Sequence, residues 1–339
     1  MKLIFKNTKV LVTGAEGFIG SHLCEALVKS GASVKALVLY NTFNKIGWLQ
    51  DLPSQVKQCI EIIPGDIRDP DLVLNITKGV DIVFHLAALI SIPYSYQTPR
   101  SYLSTNTFGM LNVLEAVKRN SINRLISTST SEVYGSAIIT PINEEHKIQA
   151  QSPYAASKIS ADHLLDSFVR SYDMPAVILR PFNTYGPRQS EKAVISSIIR
   201  QAVDDNINKI KLGNLATKRD FNYVDDTVKA FIMLSKADKD HIEFGNAYNA
   251  GSGQAVSIES VLKKIMNITN CNKEIISEKE RFRPEKSEVE HLIACSSRLT
   301  KLVNWVPDNS LDEGLKKTVE WWVYRKEQNK IRIENNYSI

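Results

Sequence analysis

Three side chains that could take part in proton transfer lie close together in the middle of the chain. The run 129–135 reads Ser-Thr-Ser-Glu-Val-Tyr-Gly and contains Glu132, and Tyr154 and Lys158 follow it. Residues four apart share one face of a helix, so the Lys158 ammonium could draw the pKa of the Tyr154 phenol toward neutrality. Tyr154 would then be a usable base. Because alcohol oxidation needs only one base, Glu132 indicates that a second proton, one on carbon, is also moved.

A glycine-rich turn near the start of the chain predicts a site for a dinucleotide. An apolar run at 10–12 precedes a turn that contains Gly14, Gly17 and Gly20, and a helical apolar pattern follows. Gly14 and Gly17 would let the backbone approach a pyrophosphate, and Gly20 would let the helix pack on the strand. The helix N-terminus would face the anion. The spacing is Gly-x-x-Gly-x-x-Gly, and a turn without a ligand is the alternative.

The elements that must position these residues read as an α/β fold. Helical stretches alternate with strand-like runs at 10–13, 33–39, 59–63, 82–86, 124–129 and 176–180. This alternation predicts a Rossmann-type, doubly wound parallel sheet with a smaller α/β substrate-binding lobe. We assign 1–182 and 216–250 to the NAD(P)-binding domain, and 183–215 and 251–330 to the lobe. A final helix is expected at 311–325, and 331–339 reads as a loose tail.

Composition narrows the possible partners and the compartment. The 339 residues are 43% hydrophobic, and a net charge of +5 is spread along the chain without a basic run. We therefore expect no nucleic-acid surface. The absence of a signal-type or spanning apolar segment predicts a cytoplasmic protein without membrane contact. The four cysteines and six histidines show no metal-ligand spacing, so no metal is expected. His85 is expected to pack rather than to act as a base.

The chain resembles the extended short-chain dehydrogenases that act on nucleotide sugars. The resemblance runs from Lys9 to about Trp322 and keeps the family's order of motifs. Besides the glycine turn and the Tyr154 and Lys158 pair, the matching segments are 65–69, 85–88, Asn106, 130–132, 180–188 and 219–226. The family commonly dimerises through two helices, here those with apolar residues at Leu111, Val113, Leu114, Val117, Ala161, Leu164, Leu165 and Phe168. A homodimer is therefore implied, although burial within one chain would need the same pattern.

The resemblance implies a role for each matching residue. The implied catalytic residues are Thr130, Ser131, Glu132, Tyr154 and Lys158. The implied cofactor contacts are Gly14, Gly17, Phe18, Ile19, Gly20, Asp66, Ile67, Leu86, Ala87, Ala88, Tyr154 and Lys158. The implied substrate contacts are Asn183, Arg188, Arg219 and Arg283. Competing readings are a turn residue for Asn183, a salt bridge from Arg219 to Asp220, and a helix cap for Asp66.

The implied reaction is a 4,6-dehydration without net use of cofactor. Tyr154 takes the carbon 4 hydroxyl proton during oxidation, Thr130 bonds that oxygen, and Lys158 stabilises the phenolate. Glu132, expected on the same side of an extended segment as Thr130, takes the carbon 5 proton, and water leaves from carbon 6. Hydride then returns to carbon 6, so the cofactor should stay bound through turnover. Because Ser131 is a feeble acid, either Glu132 handles both protons or Ser131 relays one.

Three segments narrow the implied substrate. Residues 88–96, 180–190 and 281–289 resemble the 4,6-dehydratases of legionaminic acid biosynthesis, which implies GDP-N-acetylglucosamine. The Thr-Ser-Glu run also resembles UDP-glucuronate decarboxylases, and UDP-sugar 4-epimerases are a further alternative. Glu132 argues against an epimerase. The presence of Tyr154, Lys158 and Glu132 together argues against a non-catalytic NAD(P) sensor.

The cofactor is expected to be NAD, with NADP as a close alternative. NAD-specific enzymes usually end the second strand with an acid that binds the adenosine ribose. Here that stretch reads Leu-Val-Leu-Tyr-Asn-Thr at 37–42, with neither an acid nor an arginine. Lys45 is the nearest cation that could reach a 2′-phosphate.

Overall fold

The computed structural model describes residues 4–278 and 291–331. Its strands in chain order are β1 Lys9–Thr13, β2 Ser33–Leu39, β3 Ile60–Gly65, β4 Ile82–His85, β5 Arg124–Thr128, β6 Ala176–Pro181, β7 Asn183–Tyr185, β8 Lys209–Leu212, β9 Lys218–Tyr223, β10 Ala247–Ala250, β11 Ala255–Ser257, β12 Glu274–Ser277 and β13 His291–Leu292. The six strand-like runs of the sequence correspond to β1 to β6, with ends that differ by one or two residues.

Some of the helices begin at a capping side chain. The helices are α1 Phe18–Lys29, α2 Ser54–Lys57, α3 Pro70–Ile76, α4 Ile92–Gln97, α5 Pro99–Tyr102, α6 Gly109–Arg119, α7 Pro153–Tyr172, α8 Val194–Val203, α9 Val224–Ser235, α10 Ile258–Thr269, α11 Ser297–Val303 and α12 Leu311–Glu327. Ser152 caps α7 through the Ala155 amide, and Pro153 occupies the first helical position. A capping box between Ser310 and Glu313 starts α12, the helix expected at 311–325.

Seven parallel strands form the main sheet, in the order β10-β6-β5-β4-β1-β2-β3. The chain runs outward from β1 to β3 on one side and from β4 to β6 on the other. The direction reverses between β1 and β4, which are paired in parallel with Thr13 opposite His85. Ligands of such sheets bind at the carboxyl ends of the strands at this reversal. The predicted Rossmann-type fold is confirmed.

Helices cover both faces of the sheet, as the buried runs of the strands require. Val10 and Val12 pack with Leu27 of α1 on one face, and Leu11 packs with Val113 of α6 on the other. Alternate residues of a strand point to opposite faces, so a run that is apolar throughout needs two covers. The two cores together hold β1 rigidly at the centre.

In the described residues, two smaller sheets accompany the main sheet and lie in the predicted lobe. β9 pairs with β7, β11 and β13, and β8 pairs with β12. Trp305 and Trp322 are buried, and Trp321 is partly buried. Residues 218–223, which lie in a range that we assigned to the cofactor domain, form β9 of the lobe sheet, where β7 and β11 are their strand partners. α9, which follows, does pack on the cofactor domain against α1.

Two helices are expected at a dimer interface. Most of their apolar residues are buried within the chain itself. Val113, Leu114, Val117, Ala161 and Leu165 are buried in the core between α6, α7 and the main sheet. Leu111, Leu164 and Phe168 remain half-buried. The homodimer therefore stays a prediction, and burial within one chain explains most of the pattern.

The turn after β1 gives a test of how closely the backbone packs. Gly14 has φ +67°, and an added Cβ would lie 2.8 Å from the Ala87 backbone, whereas Gly79 has φ +68° with open space around it. Both alanine substitutions incur left-handed strain of about 1–2 kcal/mol. Gly14→Ala adds an overpacking cost of about 1–3 kcal/mol, because backbone cannot move aside as a side chain can. We expect Gly14→Ala to lower the free energy of unfolding, measured in urea, clearly more than Gly79→Ala. Equal losses would contradict the close approach.

Candidate active site

A cleft of about 710 Å³ opens at the carboxyl ends of the central strands. Its lining brings the two predicted groups of residues together. From the cofactor group it contains Gly14, Gly17, Phe18, Ile19, Gly20, Asp66, Ile67, Leu86, Ala87 and Ala88, and from the catalytic group Thr130, Glu132, Tyr154 and Lys158. Residues that are more than a hundred positions apart in the sequence thus face one space.

The floor of the cleft fits a dinucleotide pyrophosphate. Gly17 caps α1 in an extended conformation without a side-chain cap, and the residues of the first turn, Phe18 to Gly20, line the cleft. The N–H groups of a first helical turn have no partner within the helix. A side chain at Gly14 would collide with the Ala87 backbone, and one at Gly20 with the Gly14 carbonyl. The backbone therefore fills the space that side chains would take, and a phosphate can approach the amides directly.

A buried threonine joins β1 to the loop after β4. The hydroxyl of Thr13 accepts hydrogen bonds from the Leu86 and Ala87 amides, both at 3.1 Å. With both lone pairs used, its proton is donated to Nδ1 of His85, 2.9 Å away. Burial, followed by the charge of Lys158, lowers the pKa of His85 to about 3. His85 is thus neutral and structural, in keeping with the expected packing role.

Tyr154 lies in the first turn of α7 and is 8% exposed. Burial raises the pKa of its phenol above the ordinary value, and a hydrogen bond with Thr130 opposes that shift. The predicted fall toward neutrality is therefore wrong for the protein alone. Tyr154 and Lys158 lie one turn apart on α7 as expected, but removal of the phenol from water is the largest influence on its pKa.

Lys158 is buried behind Tyr154 and donates a hydrogen bond to the carbonyl of Thr128 at the end of β5. Burial lowers the pKa of this ammonium, and the charge of Asp162, one turn further along α7, opposes the shift. The lysine is thereby held by both strand and helix. Its position next to the cleft is fixed before any ligand arrives.

The Thr-Ser-Glu run is a tight turn and not the extended segment that we expected. Thr130 is extended and accepts the Glu132 amide at 3.2 Å, which starts a 3-10 helix at Ser131–Tyr134. Thr130 and Glu132 both line the cleft, whereas Ser131 is 4% exposed and lies outside the lining. Capping, not strand alternation, places the threonine and the glutamate on the same side.

A buried ion pair that the sequence did not reveal supports this turn. Asp162 of α7 accepts hydrogen bonds from Arg180 at 3.0 Å and from Ser129 at 2.7 Å. Arg180 also donates to the Tyr134 hydroxyl at 3.0 Å, and Tyr134 donates to Asn249 of β10. The chain of bonds ties both ends of the Thr-Ser-Glu turn to α7 and to the main sheet. The four-residue spacing of Asp162 from Lys158 was the available signal.

The predicted substrate contacts are not all found at the cleft. Arg188 has φ +66° and bonds Glu25 of α1 at 2.6 Å, outside the cleft lining, and its substrate role stays a prediction. Asn183 starts β7, and its buried amide nitrogen has no hydrogen-bond partner. This observation tests neither the interpretation of Asn183 as a turn residue nor its predicted contact with substrate.

The two remaining predicted substrate contacts are arginines. Arg219 is 8% exposed on β9, and it is not needed by Asp220, whose carboxylate accepts the amides of Ser252, Gly253 and Ala294. The roles of Asn183 and Arg219 stay predictions. Arg283 lies outside the described residues.

The end of the cleft that is lined by Leu37, Leu39 and Gly65 holds two acids. Asp66 binds the guanidinium of Arg68 at 2.9 Å, and this hydrogen bond lowers the pKa of Asp66. Asp69, and not Asp66, caps α3, so the competing helix-cap reading of Asp66 is wrong. The second acid is Glu16, which sequence reasoning missed. Its position inside the glycine turn, between Gly14 and Gly17, was the available signal.

Neither a metal cluster nor a spanning helix is found in the parts of the chain that the structure describes. In residues 4–278 and 291–331, no group of three or more His, Cys, Asp or Glu side chains could hold a metal ion. Over the same ranges, no helix is both long and apolar enough to cross a membrane.

The buried ion pair can be tested against an exposed pair on the same helix. Asp162→Asn leaves Arg180 buried without its counter-charge, which typically lowers the free energy of unfolding by about 3–5 kcal/mol. Asp166→Asn breaks the bond to Arg170, whose side chain is 77% exposed, and should cost about 0.5 kcal/mol or less. Urea denaturation of both variants provides the measurement. A small loss for Asp162→Asn would show that the network does not hold the turn.

Comparison with known proteins agrees with this geometry. A family model described as GDP-mannose 4,6 dehydratase matches residues 11–318. The dTDP-D-glucose 4,6-dehydratase of Mus musculus is 32% identical over 94% of this chain and 89% of its own length. The enzyme of the same name from Dictyostelium discoideum is 34% identical over 77% of this chain. This chain spans 62% of that protein's length, and 47% of a trifunctional UDP-glucose 4,6-dehydratase of Arabidopsis thaliana.

Solved structures show the same fold. UDP-N-acetylglucosamine 4-epimerase from Methanobrevibacter ruminantium, in complex with UDP-N-acetylmuramic acid, superposes with a TM-score of 0.84 at 32% identity, over 94% of this chain and 99% of that one. UDP-glucuronic acid 4-epimerase from Bacillus cereus, in complex with UDP-glucuronic acid and NAD, gives 0.83 at 29% identity, over 93% and 99%. Since the family match includes the glycine turn, the Thr-Ser-Glu turn and the Tyr154 and Lys158 pair, the chain belongs to the nucleotide-sugar 4,6-dehydratase and epimerase family of extended short-chain dehydrogenases.

Proposed function

We propose that this protein is an NAD-dependent nucleotide-sugar 4,6-dehydratase that converts GDP-N-acetylglucosamine to the GDP-linked 4-keto-6-deoxy sugar. One observation carries the choice of dehydration. Glu132 lines the same cleft as Tyr154, Lys158 and Thr130, so a carboxylate is available beside the alcohol-oxidising residues. An epimerisation at carbon 4 has no step that needs it.

Tyr154 begins the reaction by taking the carbon 4 hydroxyl proton. The Thr130 hydroxyl, which bonds this phenol, holds the same substrate oxygen in place. Lys158 lies on the next turn of α7 and favours the phenolate by its charge. When bound, oxidised NAD supplies the hydride acceptor and a positive charge that further favours the phenolate. These interactions offset the burial that raises the pKa of Tyr154.

Glu132 carries the elimination. A ketone at carbon 4 acidifies the carbon 5 hydrogen, and the carboxylate removes it. Ser131 is buried away from the cleft lining, which favours Glu132 over a Ser131 relay as the group that also protonates the departing water. The carboxylate is protonated by the first transfer, so it holds the proton that the leaving hydroxyl requires. Tyr154 and Glu132 thus handle different protons at neighbouring carbons.

The cleft offers residues that could hold different parts of the cofactor. The α1 N-terminus and the glycine turn hold the pyrophosphate, and Ala87 and Ala88 lie along the path toward Lys158. The relatives support this assignment, since the Bacillus cereus epimerase is a complex with NAD. Hydride taken from carbon 4 would return to carbon 6 within one cycle, and a proton from solvent would be added at carbon 5. The cycle would then use no net NAD, and the cofactor would be retained through turnover.

The choice of GDP-N-acetylglucosamine as the substrate depends on sequence resemblance. It is supported by the resemblance of 88–96 and 180–190 to the dehydratases of legionaminic acid biosynthesis, and Ala88, Leu89, Ile90, Ile92 and Tyr94 of the first segment line the cleft. The remaining similar segment, 281–289, lies outside the described residues. A UDP-sugar 4-epimerase is the second candidate, because the relative from Methanobrevibacter ruminantium is an epimerase of UDP-N-acetylglucosamine.

Product mass distinguishes the candidates. The purified protein is incubated, without added cofactor, with GDP-N-acetylglucosamine, UDP-N-acetylglucosamine, GDP-mannose or UDP-glucuronate. We expect loss of one water from GDP-N-acetylglucosamine alone. Unchanged mass with a new carbon 4 epimer from a UDP sugar would replace the dehydratase by an epimerase, and loss of carbon dioxide from UDP-glucuronate would replace it by a decarboxylase.

Two substitutions separate the proton transfers. Tyr154→Phe should abolish reduction of the nicotinamide, followed by its absorbance, because the hydroxyl proton has no acceptor. Glu132→Gln should still reduce the nicotinamide but slow product formation by about 100-fold or more, the usual contribution of a positioned base. It should also stop uptake of solvent deuterium at carbon 5.

Glu145→Gln is the matched control, since it removes the same charge from an exposed side chain that bonds Arg298. It should react at the normal rate. Full dehydratase turnover by Glu132→Gln would remove that residue from the mechanism.

A further inference from the structure

The acid missing from the end of β2 is supplied from another part of the chain. Glu16 lies in the glycine turn, yet its Oε1 accepts the amide of Leu39, the last residue of β2, at 3.0 Å. Glu16, Leu37 and Leu39 line the same end of the cleft, next to Gly65 and Asp66. In Rossmann folds, the end of this strand is where the adenosine ribose is bound. A carboxylate is therefore present at the ribose position although β2 itself ends without one.

The Glu16 side chain is fixed and incompletely bonded. Its Oε2 is buried and has no hydrogen-bond partner. Its main-chain carbonyl accepts the Trp48 amide at 3.0 Å, and an added Cβ at Gly47 would lie 2.8 Å from the Glu16 Cβ. The loop after β2 thus packs on Glu16 and keeps it in place. An acceptor oxygen left without a donor in a built site is what a ligand hydroxyl can satisfy.

The nearby cations are occupied elsewhere. The Arg68 guanidinium bonds both oxygens of Asp66, at 2.9 and 3.0 Å. The Lys45 ammonium lies over the Phe43 ring, 5.8 Å from its centroid. The Asn41 side chain closes the intervening loop by accepting the Phe43 and Lys45 amides. A 2′-phosphate at this ribose would face the Glu16 carboxylate without a free arginine to balance it.

We infer that Glu16 selects NAD over NADP, by accepting a hydrogen bond from the adenosine ribose and repelling a phosphate on its 2′-oxygen. The inference rests on the proposed use of a nicotinamide dinucleotide. It removes the ambiguity that the sequence of β2 left open, because the selecting acid comes from the turn that also holds the pyrophosphate. Ribose and pyrophosphate are then recognised by one short segment.

Nucleotide exchange tests the inference without a sugar substrate. The purified protein is equilibrated with equimolar NAD⁺ and NADP⁺, separated from free nucleotide, and denatured, and the released nucleotides are quantified by mass. The wild type should retain NAD⁺ over NADP⁺ by about tenfold or more, since like charges brought together in a site are strongly disfavoured. Glu16→Gln should reduce this ratio by about fivefold or more.

Two controls isolate the charge at this position. Glu16→Asp keeps the carboxylate and should keep a preference for NAD⁺. Glu61→Gln removes the same charge from an exposed residue of β3 and should leave the ratio unchanged. If Glu16→Gln fails to fold, Glu16→Ser repeats the loss of charge with a smaller side chain.

The experiment distinguishes a failure of the role of Glu16 from a failure of the proposed function. Equal retention of NAD⁺ and NADP⁺ by the wild type, or an unchanged ratio in Glu16→Gln, would overturn the role of Glu16 while leaving the dehydratase intact. Retention of neither nucleotide by a folded wild type would instead overturn the cofactor assignment of the proposed function.

Discussion

The buried ion pair between Asp162 and Arg180 is the constraint on which the arrangement of the site depends. Both charges are almost fully removed from water, so neither can be accommodated unless the other is in place. Asp162 also accepts the Ser129 hydroxyl, directly before the Thr-Ser-Glu turn, and Arg180 reaches Tyr134 at the end of that turn. The pair therefore requires α7, β6 and the turn to meet in one geometry. The placement of the reacting groups therefore follows from the pairing of the two buried charges and not from the reacting groups themselves.

The second constraint is topological. The reversal of strand order between β1 and β4 leaves a gap that no connection crosses, and the glycine turn and the loop after β4 border it. The single hydroxyl of Thr13 holds the two borders together through His85 and two amides. A site of this kind binds the phosphates through amides and does its chemistry with side chains, so the two tasks do not compete for residues.

Much of this arrangement could be predicted from short spacings in the sequence. The glycine turn, the pair on α7, β1 to β6 and α12 each depend on neighbours within a few residues, and the structure contains all of them. What could not be predicted depends on residues far apart. Residues 218–223 join the lobe sheet because their strand partners are there, and Arg188 turns to Glu25, 163 positions earlier. The pKa of Tyr154 is set by burial, which no local pattern reports.

The bond between Arg188 and Glu25 has a consequence for the scale of the cleft. α1 begins at the phosphate end, and Glu25, two turns later, holds the loop whose next residues, Gln189 and Ser190, line the cleft. From Phe18 to Glu25 the helix rises about 10 Å. The length of this rigid helical segment thus sets the distance between the phosphate-binding turn and the loop. That distance limits the length of ligand that the cleft can hold.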